Sequence, residues 1–251
     1  MPKGERLGYR FLERGAEIHF ARFAPFSLVF LLAELPTIVG FAVDPSRPPG
    51  LGAWTRWSEV AHELLFDPGG RALALGLALA LQLVGTAVVL LSVLHALDGT
   101  PISLAESARR GLRRILPLMC TGALVAALVL YACILWVVPG LLAMTYLSLA
   151  VAVCAAERAS PMRAVGRSGD LASLGLGPLF VVVLATFLVP RGLEVLLGVV
   201  FRDEPALAFA LVLPLRVVAG GLGATLLAVA YHELRRMKDG TSAAGIIAAF
   251  E

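Results

Sequence analysis

The chain has 251 residues, of which 59% are apolar and 16% charged, with a net charge of +3 and a mean hydropathy of +0.85. Soluble domains sit at about 45–50% apolar, glycine included, and about 25% charged, so this composition excludes an ordinary soluble fold and makes lipid the natural solvent. The basic residues are scattered between apolar runs instead of gathered on one face, which speaks against a nucleic-acid partner. Nineteen of the 21 are arginine, a bias that points to a GC-rich bacterial source.

Residues Lys3 to Phe23 carry Arg6, Arg10, Glu13, Arg14 and Glu17 at helical spacing, with Leu7, Phe11, Ile18 and Phe20 on other faces. That is the pattern of an amphipathic helix in the headgroup region. The alternating charge and the lack of a cleavage pattern also argue against a signal peptide. Six apolar runs follow, each near the ~20 residues needed to cross the hydrocarbon core. They are Ala24 to Val43, Arg71 to Leu97, Leu112 to Val138, Leu141 to Ala156, Gly177 to about Phe201, and Ala206 to Glu233. The expected fold is an all-α polytopic membrane bundle with basic amphipathic elbow helices on its cytoplasmic side. Residues 1–23 form the interfacial helix, 24–233 the transmembrane domain with an outer loop at 44–70, and 234–251 a short cytoplasmic tail.

Alternate connections are rich in arginine. One set holds Lys3 to Arg22, then Arg109, Arg110, Arg113 and Arg114, then Arg158, Arg163 and Arg167, then Arg235, Arg236 and Lys238. The other set holds only Arg47, Arg56 and Arg71, then none, then Arg202. The positive-inside rule puts the rich set in the cytoplasm, with both termini inside a bacterial inner membrane. In the outer loop, Trp54, Trp57, Val60, Ala61, Leu64 and Leu65 share one helical face, as in an interfacial helix. Ser103 and Glu106 make a capping box, and Ser160-Pro161 offers an N-cap with proline at the first helical position.

A repeat is also legible. Three times a basic amphipathic helix precedes an outgoing span that opens with proline: Ala24-Pro25-Phe26, Leu116-Pro117-Leu118 and Gly177-Pro178-Leu179. Each outgoing span is followed by a returning one, which suggests three elbow-plus-hairpin units.

Several short motifs lie along the second and third of these units: Gly99-Thr100-Pro101-Ile102-Ser103, Val138-Pro139-Gly140-Leu141, Ala156-Glu157, and Ala164-Val165-Gly166-Arg167-Ser168 with Leu171. In these, and in the layout of Leu7 to Pro36, the chain resembles the bacterial glycerophosphoryl diester phosphodiesterase membrane domain family and its stand-alone multi-spanning relatives. The resemblance implies a six-helix membrane domain of largely unassigned role, fused in some members to a soluble phosphodiesterase. The chain offers no run of carboxylates and histidines for such an enzyme, so catalysis is not carried over and no cofactor or metal is expected.

Ionisable groups at membrane depth are costly and default to functional candidates. Glu34, Arg191, Glu194 and Arg216 form an expected intramembrane polar site, with Gln82 and His95 as further polar groups. Arg191 and Glu194, one turn apart, can pair directly, and Glu34 can face Arg216 or Arg191. A structural ion pair is the alternative use of these charges, and so is a fifth span ending at Pro190, with Arg191 and Glu194 in an outer interfacial helix. At the cytoplasmic surface, Glu157, Arg158, Arg163, Arg167 and Ser168 form a headgroup-level site able to hold lipid phosphate, or else ordinary positive-inside charge. Gly166-Arg167-Ser168-Gly169 also fits the GxSG of intramembrane serine proteases, with His232 as the base.

The expected function is that of a non-enzymatic inner-membrane protein that binds or organises lipid, or scaffolds a membrane-protein partner or a second copy. A small transporter using the intramembrane charges is the alternative, and a serine hydrolase using Ser168 and His232 a remote third.

Overall fold

The computed structural model describes residues 3–43, 70–100 and 102–250, and every regular element among them is helical. The tryptophan-bearing helix expected in the outer loop falls at 44–69, outside the described residues. Helix α1 covers Lys3–Ala21, α2 Phe23–Ala33, α3 Leu35–Val43 and α4 Gly70–Leu97. A short α5, Leu104–Leu112, leads into α6, Ile115–Leu135, and the chain returns through α7, Val137–Leu147, and α8, Ala150–Ala156. Helix α9, Pro161–Ala172, leads into α10, Leu176–Val183, which a π turn at Leu184–Leu188 joins to α11, Val189–Val200. Helix α12 runs Pro205–Phe250.

Five stretches are long and apolar enough to cross a membrane: Leu77–Leu97, Ile115–Leu135, Val137–Ala156, Leu176–Val200 and Pro205–Asp239. Helices α1 and α2 form a pair bent by 88°, which brings the count to six if the pair is taken as one span. The most apolar stretch of α4 is 61% buried and that of α6 only 11%, so α4 is the central post and α6 presents its side chains outward. Glycines of α12 let α1 and α2 close on it: a Cβ on Gly220 would run into the Phe30 ring, and one on Gly221 would meet His19 at 2.7 Å.

Three breakers act differently from their sequence-based reading. The first apolar run is not one helix, because Glu34 forms a turn between α2 and α3, with Pro36 as the second residue of α3. Spans three and four part at Trp136 (φ −171°, ψ 157°), not at Pro139-Gly140. Proline in a first helical turn has no hydrogen bond to lose, so Pro139 sits inside α7. Gly140 is needed for packing instead, since a Cβ there would run into the Cys133 sulfur on α6. Pro190 neither ends nor sharply breaks span five: the π turn before it absorbs its clash with the carbonyl four residues back. Helix α12 continues beyond Glu233, where a tail was expected.

The three basic helices lead into α2, α6 and α10 through matching corners. The residues that open α2, α6 and α10 are Arg22 (φ −123°, ψ 31°), Arg114 (φ −118°, ψ 18°) and Gly175 (φ −155°, ψ 52°). Each donates its amide to the carbonyl three residues back (His19, Gly111, Ala172) and accepts from the amide four residues on (Phe26, Leu118, Leu179). Those last three side chains are fully buried, and a proline immediately precedes each of them. Seven residues before each corner lies a buried small residue: Gly15, Ser107 and Ser168.

Each short helix then packs on the preceding unit's returning span. Gly15 seats Leu226 of α12, Gly111 of α5 meets Val84, Ala87 and Val88 of α4, and the Ser168 hydroxyl donates to the Tyr146 carbonyl of α7 at 2.7 Å. Three units thereby close into a ring, and the corners, with the ends of α4, α8 and the α12 span, share one end of the bundle.

Candidate functional site

A polar chain crosses the bundle between its first and third units. The Gln82 amide donates to Glu34 Oε1 at 2.5 Å, and Arg216 Nη1 lies 3.8 Å from Glu34 Oε2. Arg216 Nη2 is 3.1 Å from Glu194 Oε2, which also accepts from Arg191 Nη1 at 2.8 Å. The four residues expected at the intramembrane site therefore meet in one network, joined by Gln82. Glu34 is 4% and Glu194 2% exposed, so both carboxylates are out of solvent, while the Arg191 side chain is 42% exposed and lies over the Phe187 ring.

Three backbone irregularities surround this network: the Glu34 turn, the π turn before Pro190, and Pro214 inside α12. Two carboxylates and two guanidiniums balance, which suits a low-dielectric site. An uncompensated charge there costs several kcal/mol, roughly 3–5 when one partner of a buried pair is removed.

The corner end carries a second constellation. Arg14 of α1 pairs with Glu233 of α12 at 2.7 Å, and Arg167 of α9 lies 3.5 Å from Glu157, the residue closing α8. Arg14 and Arg167 each precede their corner by eight residues, so two ring seams use the same ion pair. At the remaining seam Arg110 donates to His95 at 3.1 Å and to Glu106 at 2.9 Å. That guanidinium holds the Glu106 carboxyl below its usual range, against a smaller opposing effect of desolvation. Helix α12 ties the other two returning spans together, Tyr231 donating to Glu157 at 2.9 Å and His232 lying 3.2 Å from Asp98. Arg167 also reaches Asp239 at 3.0 Å.

No protein-family model, curated protein or solved structure matches this chain. The site must therefore be read from its own chemistry.

Of the five residues expected at headgroup level, Glu157 and Arg167 pair with each other, while Arg158 and Arg163 stand exposed. Ser168 is fully buried and committed to the Tyr146 carbonyl, so it belongs to helix packing and not to the surface. No hydrogen bond joins it to His232 among the described residues, and His232 faces Asp98 and Glu233. A nucleophile with its base engaged elsewhere is not activated. Among the described residues no group of three or more His, Cys, Asp or Glu is arranged to hold a metal ion.

Arg114 is a participant that sequence reading counted only as topological charge. It donates to the carbonyls of Cys154 at 3.0 Å and Arg158 at 3.4 Å, placing a cation on the C-terminus of α8. Arg22, at the equivalent corner, reaches Ser92 of α4 at 3.3 Å. In both cases the corner arginine grips its own unit's returning span. The repeat offered that signal, because both residues stand three before the proline of their span.

Proposed function

We propose that this protein is a non-enzymatic, multi-pass inner-membrane protein that binds anionic lipid headgroups through the corner end of its bundle. Six crossings, with α2 and α3 together making the first, put that end and both termini in the cytoplasm by the positive-inside rule. From Phe23 to Val43 the chain supplies about 30 Å of helix at 1.5 Å per residue, the thickness of the hydrocarbon core. Phe41 of α3 stacks on Phe209 of α12 at 4.2 Å, which supports α3 running on beside the far half of α12. The resemblance to the phosphodiesterase-associated membrane domain belongs to the same proposal, since it also implies a six-helix membrane domain, one of largely unassigned role.

One observation carries the functional reading. Arg10, Arg109, Arg113, Arg158, Arg163 and Arg236 are exposed at the corner end and have no ion-pair partner among the described residues. The neighbouring Arg14, Arg110, Arg167 and Arg235 are all paired. Near an anionic leaflet each free arginine contributes about 1 kcal/mol of attraction. The intramembrane network supports a structural clamp over transport, because its charges are mutually paired and both of its carboxylates are out of solvent. A membrane-protein partner or a second copy would be recruited by the same face through acidic residues.

The test is thermal unfolding in nanodiscs of phosphatidylcholine with increasing phosphatidylglycerol. A ligand that binds the native state raises the melting temperature. The expected result is a rise with phosphatidylglycerol that shrinks as salt is added. A melting temperature indifferent to headgroup charge would remove the reading.

A further inference from the structure

The ring seams are alike in plan but unlike in charge, and the difference centres on one backbone oddity. Helices α4 and α8 both end on a carboxylate, Asp98 and Glu157, and each is followed by a residue in the left-handed region: Gly99 (φ 75°) and Arg158 (φ 54°). Glycine takes that conformation freely, while a long side chain takes it at a cost. Arg158 is the one non-glycine residue with positive φ among the described residues.

Its conformation is held from outside, through the hydrogen bond from Arg114 to its carbonyl at 3.4 Å. Its side chain is exposed and makes no ion pair among the described residues. An arginine thus stands where the sibling corner has glycine, and nothing in the packing asks for it.

The surroundings of Arg158 are cationic. Arg113 adjoins Arg114 at the corner, with Arg109 one helical turn before it on α5. Across the turn, Arg163 lies one turn before Arg167 on α9, on the side that meets Glu157. The carboxylates on α5, α9 and the end of α8 are already engaged: Glu157 by Arg167 and Tyr231, Glu106 by Arg110, Asp170 by Lys238. By contrast, the groove of about 330 Å³ between α1 and α12 mixes Arg10 and Arg14 with Glu13, Glu17 and Glu233 and offers no net attraction to an anion.

We propose that the seam between the α5–α6 corner and the α8–α9 turn is a phosphate-binding site, with Arg158 at its centre and Arg113 and Arg163 on either side. The ligand is a phosphate-bearing headgroup of an anionic lipid, or the same group free in solution. Arginine guanidiniums supply paired donors for phosphate oxygens, and a site facing water at headgroup depth suits a lipid whose tails remain in the bilayer. The proposal rests on the anionic-lipid reading above and narrows it to one seam.

The experiment measures binding of short-chain phosphatidylglycerol and phosphatidylcholine to detergent-purified full-length protein, for the wild type and for Arg158→Gly, Arg163→Gln and Arg235→Gln. Arg158→Gly should raise the melting temperature of the lipid-free protein, because glycine relieves the left-handed residue, and yet weaken phosphatidylglycerol binding about fivefold. Arg163→Gln should weaken binding similarly, and Arg235→Gln, outside the seam and already paired with Asp239, should leave it within twofold of wild type. Displacement by millimolar inorganic phosphate would identify phosphate itself as the ligand, and resistance to it would identify the lipid; either outcome supports the site.

Unchanged affinity in both Arg158→Gly and Arg163→Gln, with wild type still preferring phosphatidylglycerol, would overturn the seam while leaving the general reading standing. Equal losses in Arg235→Gln would overturn it too, by spreading the effect over the whole face. A wild type that does not prefer phosphatidylglycerol would sink both.

Discussion

Replacing Arg216 with methionine keeps much of the side chain's length and removes the one cation shared by two buried carboxylates. Arg216 lies 3.1 Å from Glu194 and 3.8 Å from Glu34, and both carboxylates are almost wholly out of solvent. Removing one partner of a buried pair costs about 3–5 kcal/mol. Glu194 retains Arg191 and Glu34 retains Gln82, so the loss should fall at the lower end, about 3 kcal/mol. For a chain of this size that is a drop of roughly 6–12 °C in melting temperature. Thermal unfolding in detergent, followed by circular dichroism, reads this directly. Adding Glu34→Gln removes one stranded charge while keeping the polar contact with Gln82, and should recover about 1–2 kcal/mol, the coupling expected of residues in one network. A single variant within about 0.5 kcal/mol of wild type, or a double variant whose losses simply add, would refute the clamp.

Arg114→Ala takes the cation from the C-terminus of α8 and should cost about 1–2 kcal/mol, with faster hydrogen exchange across residues 150–157 as its local signature. Gly220→Leu drives a side chain into the Phe30 ring and should destabilise by about 1–3 kcal/mol. Gly166→Ala, in the interior of α9 where an added Cβ meets nothing, should instead stabilise by about 0.5–1 kcal/mol; both are read as melting-temperature shifts. Because Arg110 depresses the Glu106 carboxyl, that ion pair contributes fully above the ordinary value of 4.5 and is lost as pH falls through the folded value. Glu106→Gln should therefore lower stability slightly at neutral pH and flatten the acid limb of the profile, so that variant and wild type converge as pH falls below 4.5.

The residues that meet in the polar network were legible because such a residue type announces its own cost. Glu34, Arg191, Glu194 and Arg216 stand out because each interrupts an apolar run, and a charge in lipid has few options besides another charge. The repeat was legible for a related reason, since proline just inside an outgoing span is a positional signal. Its depth was not: the matching corner geometry, the buried Gly15, Ser107 and Ser168, and the two seam pairs depend on contacts between distant segments.

Local breaker signals misled for the same reason. Pro139-Gly140 is the stronger pattern, yet Trp136 parts the helices, because proline fits a first turn and Gly140 answers to Cys133. Pro190 looked able to end a helix, and one wide turn was enough to carry the chain past it. Ser168 sits in a polar run that suggests the surface, but its position seven residues before a corner sends it inward.

Whether the corner end holds anionic lipid can be read by native mass spectrometry of protein extracted in mild detergent from its own membrane. An anionic phospholipid should be retained at activation energies that strip zwitterionic lipid, and lost from a variant with Arg109, Arg113, Arg158 and Arg163 changed to glutamine. Retention of zwitterionic and anionic lipid in proportion to their abundance, unchanged in that variant, would contradict it.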